Sequence, residues 1–332
     1  MNKTIDKVGE LIWWSVKKPG VNQFDIQEIA EKYKIPKKFE KHLPKSIRPC
    51  DAFRRATNNL QESVDYEYQG MVYTIKTFTR EISSGDTIVR KLIEEIIDDD
   101  EKSISYEIAA DLVFNKEFNL YTYELNEEMS EHANFEPLIK KSIAEYEKNK
   151  EFYPYSSIRA FVRNCIKELN GVQVAPRSGI YFVPEKYESE LETLEKVMNE
   201  INDKSRAAYQ YDSESLFFRQ NIRSEKRSIK IIENLYTQQI DRLINEWETK
   251  LEKAKERKKR EAKIKKAKKE INNEIGFFKN EVEYIENELG INIDINKIIN
   301  YEKVLKGLSS TSSSKLSKEK KEKIEKVVKK IV

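Results

Sequence analysis

Apolar residues recur every three or four positions between about residues 213 and 289. This heptad-like spacing predicts a long helix or coiled coil. A continuous helix over these residues would be about 110 Å long at ~1.5 Å per residue. A helical hairpin folded at Asn272 and Asn273 is the alternative, because Gly276 follows closely. The positions predicted to assemble copies of the chain are Ile240, Leu243, Trp247, Leu251, Ile275, Phe278 and Val282.

Short amphipathic patterns separated by turns fill residues 1–65. The first predicts a helix over residues 4–17, which ends before Pro19 and Gly20. In the second, Asp25 is the expected N-cap and Pro36 ends the helix. Asp51 is expected to cap a third helix. These helices are compatible with a helix-turn-helix unit or with an ordinary helical cap.

The period of the pattern changes to two from Tyr66 onwards. Four successive strand patterns are joined by short turns: the first runs from Tyr66 to about Phe78, and the others cover residues 87–97, 103–114 and 118–125. Such an arrangement predicts an antiparallel meander. Residues 92–97 are also compatible with a helix.

Helical spacing returns over residues 137–150 and again after Pro154. The second of these helices places Arg159, Arg163 and Lys167 on one face, and a two-stranded hairpin containing Arg177 follows it. A recognition helix and the wing of a winged-helix domain have this order. A helix packed on the sheet, with its charged face in water, is the alternative. A further helix is predicted over residues 185–201.

Together these patterns predict an α+β fold with a mainly antiparallel sheet and flanking helices, followed by a long helical arm. The expected regions are a helical segment at 1–65, an α+β module at 66–203 and the long basic helix at 213–289. Residues 290–332 are expected to hold a short helix, a Ser-rich linker and a basic amphipathic tail.

Charge is unevenly distributed along the 332 residues, although the net charge is only +3. Residues 250–270 contain twelve Lys or Arg against four Glu. Lysines and arginines along a helix neutralise phosphates and release counterions, whereas balanced charges are typical of a solvated coiled coil. The central basic residues predicted to bind nucleic acid are Arg257, Lys258, Lys259, Arg260, Lys263, Lys265 and Lys266. No aromatic, Asn or Gln side chain interleaves with them, so we expect no sequence readout.

Catalytic patterns are sparse. The two histidines, His42 and His132, have no partner at triad or metal-ligand spacing, and no glycine-rich phosphate loop occurs. The acidic run 98–101 with Asp111 is compatible with the scattered carboxylates of a nuclease, but a solvated turn explains it as well. We therefore predict no catalytic residue, metal ligand or cofactor, and the possibility of enzymatic activity stays open.

Cys50 and Cys165 are too few for a disulfide framework, which indicates a reducing cytoplasm. No run of about 18 apolar residues and no cleavable leader pattern occurs, so a membrane span is not expected.

Two segments carry a resemblance to a known family. They are RPCDAFRRA, at residues 48–56, and RSGIYFVP, at residues 177–184. Both resemble the paired landmarks of an uncharacterised family found in bacteria and their mobile elements. The resemblance implies one recurring module over about residues 26–201, without the long helix. It singles out Arg54, Arg55, Arg177 and Tyr181, and brings no known activity with it.

The function expected from the sequence is non-enzymatic. The protein would bind DNA or RNA through its basic faces, without sequence preference, and associate with itself or a protein partner through the long helix. The alternative is a structural coiled-coil subunit of a defence or phage-related complex that binds no nucleic acid. A metal-dependent nuclease is a third, less favoured hypothesis.

Overall fold

A computed structural model describes residues 7–16, 20–98, 100–126, 135–175, 178–209, 216–256 and 260–310. The strands are β1 (Lys7–Ser15), β2 (Glu62–Tyr68), β3 (Met71–Ser84), β4 (Thr87–Ile97), β5 (Ser103–Asn115), β6 (Leu120–Leu125), β7 (Val172–Gln173), β8 (Ile180–Pro184) and β9 (Leu216–Arg223). The helices are α1 (Gln23–Lys32), α2 (Lys37–Glu40), α3 (Pro49–Asn58), α4 (Phe135–Glu151), α5 (Tyr155–Glu168), α6 (Glu188–Tyr209), α7 (Lys226–Glu256), α8 (Arg260–Leu289) and α9 (Asn296–Ser310), with a 3₁₀ turn at Glu185–Tyr187.

The chain forms two compact units. One takes in Met1–Ser15, Val162–Lys196 and Leu216–Val332, and the other takes in Val16–Phe161 and Val197–Ser215. Each unit is therefore assembled from separate stretches of sequence, and the four regions expected from the sequence do not coincide with them. The coarse expectation of an α+β fold with antiparallel sheets is confirmed.

The first unit contains a four-stranded antiparallel sheet with the order β7-β8-β1-β9. The predicted helix over residues 4–17 is wrong, because this segment forms the inner strand β1. Ile12 on β1 is fully buried, and Trp13 stacks on Phe218 of β9 at 5.1 Å between ring centroids. A side chain at Gly9 would collide with the carbonyl oxygen of Val183 and the ring of Phe182. Pairing on both sides therefore overrides the local helical pattern.

The predicted start of the long helix near Ser213 is also wrong. Residues 216–223 form β9, which pairs with β1 from Lys7↔Arg223 to Ser15↔Leu216. The helix begins only at Lys226.

The long helical pattern folds into an antiparallel hairpin of α7 and α8. Tyr236 contacts Glu281, and Trp247 contacts Glu274. Later residues of α7 therefore contact earlier residues of α8, which shows that the two helices are antiparallel. The continuous rod of about 110 Å is therefore wrong. The chain reverses between Glu256 and Arg260, and the expected hinge at Asn272 and Asn273 lies inside α8. Between Leu251 and Ile264 the chain has no large apolar residue, so a continuing helix would bury nothing there.

The second unit contains a five-stranded antiparallel sheet with the order β2-β3-β4-β5-β6. The predicted antiparallel meander is confirmed, but it has five strands rather than four, because a turn at Gln69 and Gly70 divides the first predicted strand into β2 and β3. Residues 92–97 belong to strand β4 rather than to a helix. Helices α3 and α4 bury apolar side chains against one face of this sheet. The core residues include Phe53, Ile88, Leu92, Leu112, Phe114 and Ile139.

Candidate nucleic-acid interface

The α7–α8 hairpin has a part with an apolar core, which we call the root, and an end where the chain reverses. The root comprises residues 226–252 and 270–289 of the two helices, and the closed end comprises residues 253–269. The core of the root includes Tyr236, Ile240, Trp247, Ile271, Ile275, Val282 and Ile285, together with Val8, Val172 and Phe182 of the sheet. The root is thus built into the core of the first unit.

A carboxylate in the root makes several hydrogen bonds. Glu281 is 2% exposed, accepts a hydrogen bond from Asn170 at 2.8 Å and forms an ion pair with Lys186 at 2.7 Å. The hydroxyls of Tyr187 and Tyr236 also donate to it, at 3.3 and 3.4 Å. Burial, followed by the charge of Glu281, raises the pKa of both tyrosines, so both remain protonated. This arrangement satisfies the carboxylate and fixes α8 to α7 and to the 3₁₀ turn.

The helix α9 runs beside the hairpin in the direction of α7. Lys297 near its start pairs with Asp241 at 2.6 Å, and Tyr301 contacts the ring of Trp247. Leu305 is buried in the same core cluster. The helix therefore adds a third layer to the root.

The ion pairs between α7 and α8 nearest the closed end lie at its junction with the root. Lys250 on α7 pairs with Glu270 and Glu274 of α8, at 2.9 and 3.0 Å. Burial lowers the pKa of Lys250, but its hydrogen bonds to the two carboxylates outweigh that effect and raise the pKa overall. Trp247 donates to Glu274 at 2.7 Å. Beyond this point no ion pair between described residues joins the two helices.

Small residues occupy the seam of the closed end. Ala254 and Ala267 are both buried in the core cluster, and the register of Trp247 on Glu274 places them opposite each other. Alanine allows two helices to approach closely. Lysines on both helices are consequently held near one another.

The described lysines of the closed end are largely uncompensated. Six of them form no ion pair with any described residue: Lys253, Lys255, Lys263, Lys265, Lys268 and Lys269. Five are exposed and Lys268 is half-buried. Lys266 is exposed and lies 4.0 Å from Glu270 of its own helix. In proteins, such a cluster is a favourable site for anions.

Two of these lysines repel each other across the hairpin. Burial lowers the pKa of Lys268, and the positive charge of Lys255 lowers it further. Like charges at short range disfavour the protonated form. An anion placed between the two ammonium groups would remove this repulsion.

The structure describes some of the residues of the basic block that were predicted to bind nucleic acid. Lys263 and Lys265 are exposed on α8. Arg257, Lys258 and Lys259 lie outside the described residues. Arg260 is the first residue of α8, and its side chain is not described.

The second predicted basic surface is the face of α5. Arg159, Arg163 and Lys167 are exposed on it. Arg159 is engaged locally, because it donates to the carbonyl oxygen of Val16 at 3.0 Å and lies over the ring of Tyr155. The predicted strand pair is present as β7 and β8, but β8 also pairs with β1, which makes the pair part of a larger sheet. Arg177 lies outside the described residues.

The residues predicted for assembly are used within the chain. Leu243 is partly buried, and Ile240, Trp247, Leu251, Ile275, Phe278 and Val282 are buried in the core of the hairpin. Their side chains are covered by α7, α8, α9 and the sheet. Association between copies stays a prediction, and in this conformation it needs another surface.

A buried ion network occupies the four-stranded sheet of the same unit. Arg219 donates to both oxygens of Glu10, at 2.6 and 2.8 Å, and pairs with Glu195 at 2.8 Å. Lys7 also pairs with Glu10, at 2.6 Å. Beside it, a cavity of about 590 Å³ is lined by residues 219–223, Glu225 and Ser228. Its lining is mostly polar, unlike the apolar pockets that hold most small ligands.

The described residues contain no cluster of three His, Cys, Asp or Glu side chains that could hold a metal ion. Asp98 accepts hydrogen bonds from the backbone of its own turn, and Asp111 pairs with Lys91 at 2.8 Å. His132 lies outside the described residues. No helix in the described part of the chain is long and apolar enough to cross a membrane.

Sequence reasoning missed several residues of this site. Lys253, Lys255, Lys268 and Lys269 belong to the same basic block, but only the antiparallel register shows that they flank one seam. No sequence pattern singled out Glu281, because the residues that bond to it lie in distant segments of the chain.

Comparison with known protein families finds a match, which covers most of the chain. A model described as a family of unknown function, DUF6744, matches residues 7–286. The chain belongs to DUF6744. The expected resemblance to a family of unknown function is thus confirmed, but its expected extent of 26–201 was too short, because the DUF6744 match includes most of the hairpin. No curated protein and no solved structure matches the chain.

The residues that the sequence resemblance singled out make structural contacts. Arg54 on α3 forms two hydrogen bonds with Glu81, at 2.8 and 2.9 Å. Arg55 donates to the carbonyl oxygen of Asn149 at 2.6 Å, and its buried Nε has no partner in the described residues. Tyr181 on β8 is buried and stacks on Trp14. These contacts hold helices and strands together.

Proposed function

We propose that the closed end of the hairpin binds nucleic acid through its phosphates, without reading base sequence. The observation that carries the proposal is the set of six lysines on two facing helices that have no described acidic partner. Flexible ammonium groups neutralise phosphates and release counterions, which gives affinity that is tolerant of sequence and sensitive to salt.

The repulsion between Lys255 and Lys268 supports the same proposal. In the free protein the two ammonium groups repel each other. An anion bound between them would cancel this repulsion, and the relief of the repulsion would favour binding. No Asn, Gln or aromatic side chain lies among the described lysines from Lys253 to Lys269, so direct readout of base edges is not expected.

The test uses the full chain and fluorescent duplex DNA and single-stranded RNA of mixed sequence. In the closed-end variant, Lys253, Lys255, Lys263 and Lys265 are replaced by Glu. In the control variant, Lys37, Lys141, Lys196 and Lys303 are replaced by Glu; these lysines are also exposed and form no ion pair with a described residue. Both variants have the same net charge.

We expect the wild-type and control proteins to bind both probes at low salt, and the closed-end variant to lose binding to both. Anisotropy titrations measure this. Equal binding by the two variants, or no binding by the wild-type protein, would refute the proposal and leave the structural subunit as the better hypothesis. Binding that is lost only on changing Arg159 and Arg163 would favour the α5 surface instead.

A further inference from the structure

One end of the five-stranded sheet has exposed apolar side chains on both faces. We call it the β-arm; it comprises residues 62–76 and 94–107, the ends of β2 to β5 around the 98–102 turn. Val64 and Tyr66 are exposed on one face, by 58% and 38%. Val72 and Tyr106 are exposed on the other, by 43% and 48%. The strand register assigns the two pairs to opposite faces.

A sheet usually buries at least one apolar face, because a few strands alone are marginally stable in water. Exposed apolar side chains on both faces of the β-arm are therefore a feature of an interaction surface. β2 is also the edge strand of the sheet, and its described side chains from Glu62 to Glu67 are all exposed.

The β-arm is strongly acidic. It has ten Asp or Glu residues against two lysines. Among its described residues the one ion pair is Lys102 with Asp100, at 3.2 Å on the surface. Glu94 is 2% exposed, and its Oε2 atom has no hydrogen-bond partner in the described residues. The acidic charge of the β-arm thus lacks compensation within the β-arm.

The closed end of the hairpin has the opposite composition, with eleven Lys or Arg against two Glu. The two surfaces carry nearly equal and opposite excess charge, and both have unpaired side chains. Lysine stems can also cover apolar surface while their ammonium groups reach carboxylates. The closed end therefore complements the β-arm in charge and in its ability to cover Tyr106 or Val64.

We propose that the β-arm of one copy docks on the closed end of the hairpin of a second copy. The contact joins two different surfaces, so it is heterologous and grows into a ring or a chain unless two copies exchange both contacts. This inference goes beyond the proposed function and does not require nucleic acid. Nucleic acid would compete for the same lysines.

The test is sedimentation velocity of the full, nuclease-treated chain over a range of concentrations. In the arm variant, Glu62, Glu67, Glu95 and Glu101 are replaced by Lys; the closed-end variant is the one defined above. We expect the wild-type protein to associate at low salt and to dissociate as added salt shortens the Debye length below about 10 Å. Each variant alone should be monomeric, because the changed surface loses almost all of its excess charge. The β-arm goes from ten acidic residues against two lysines to six against six, and the closed end goes from eleven Lys or Arg against two Glu to seven against six.

Mixing the arm variant with the closed-end variant provides the decisive result. In the mixture, the unchanged closed end of the arm variant meets the unchanged β-arm of the closed-end variant, so association between the two variants should return. A misfolded variant cannot give this result. The control variant, with Lys37, Lys141, Lys196 and Lys303 replaced by Glu, should associate like the wild-type protein. A wild-type protein that stays monomeric at every concentration, or a mixture that does not associate, would overturn the proposal.

Discussion

The root and the closed end of the hairpin consist of the same two helices but differ in how their charges are satisfied. In the root, Glu281 is buried and receives hydrogen bonds or an ion pair from four side chains. At the closed end, six lysines have no described acidic partner. The difference indicates that the root contributes to the stability of the first unit, whereas the closed end is available for binding.

The largest expected effect is the loss of apolar packing in the root. Trp247 is 1% exposed, so Trp247→Ala should lower the free energy of unfolding by about 3–5 kcal/mol. Urea denaturation measures the change. The control is Phe277→Ala, because Phe277 is 69% exposed and should change stability by no more than ~0.5 kcal/mol. Equal effects would contradict the assignment of the root as core.

The burial of the residues predicted to assemble copies of the chain changes the result expected when they are mutated. Polar replacement of Ile240, Leu243 and Trp247 together should unfold the hairpin rather than separate intact subunits. Circular dichroism and sedimentation of the same sample distinguish the two results. Dissociation into folded monomers would show that these three residues join separate copies of the chain.

The next effect concerns the buried carboxylate. Glu281→Ala leaves the hydroxyl of Tyr236 without its acceptor and the amide of Asn170 with one of its two acceptors, and we expect a loss of about 1–3 kcal/mol. Glu281→Gln retains an acceptor and should lose less. The control is Glu283→Ala, because Glu283 is exposed on the same helix. If Glu283→Ala cost as much as Glu281→Ala, the root cluster would have no special role.

The sequence predicted the helices and the meander because their patterns are local. The strands β1 and β9 escaped prediction because each depends on partners far away in the chain: Trp13 pairs with Ile180 and Phe218. The basic block was visible because charge is a property of composition. The positions of Lys255 and Lys268 relative to each other depend on the reversal of the chain, and no glycine or proline between Leu251 and Ile264 marks that reversal.

A pH dependence is expected from the ion network of the four-stranded sheet. Burial raises the pKa of Glu10, but hydrogen bonds from Arg219 and Lys7 outweigh it, so the folded pKa lies below the unfolded value. Glu10 therefore contributes stability above its unfolded pKa, and that contribution is lost as pH falls through the folded pKa. Glu10→Gln should flatten the acid limb of the stability curve. An unchanged acid limb would contradict this.

The smallest expected effect is at the closed end. Lys255→Glu replaces repulsion of Lys268 by attraction, so the free energy of unfolding should rise by up to ~1 kcal/mol near neutral pH. Lys303→Glu is the control on an exposed helix position. A loss of stability in Lys255→Glu would show that the two lysines do not face each other.

The salt dependence of nucleic-acid affinity tests the central claim most directly. Log affinity for duplex DNA is measured against log salt for the wild-type, closed-end and control proteins. Each lost phosphate contact should reduce the slope by about one unit, so the closed-end variant should have a shallower slope or no measurable binding. The control variant should keep the wild-type slope. Identical slopes for all three proteins would contradict the assignment of the closed end as the interface.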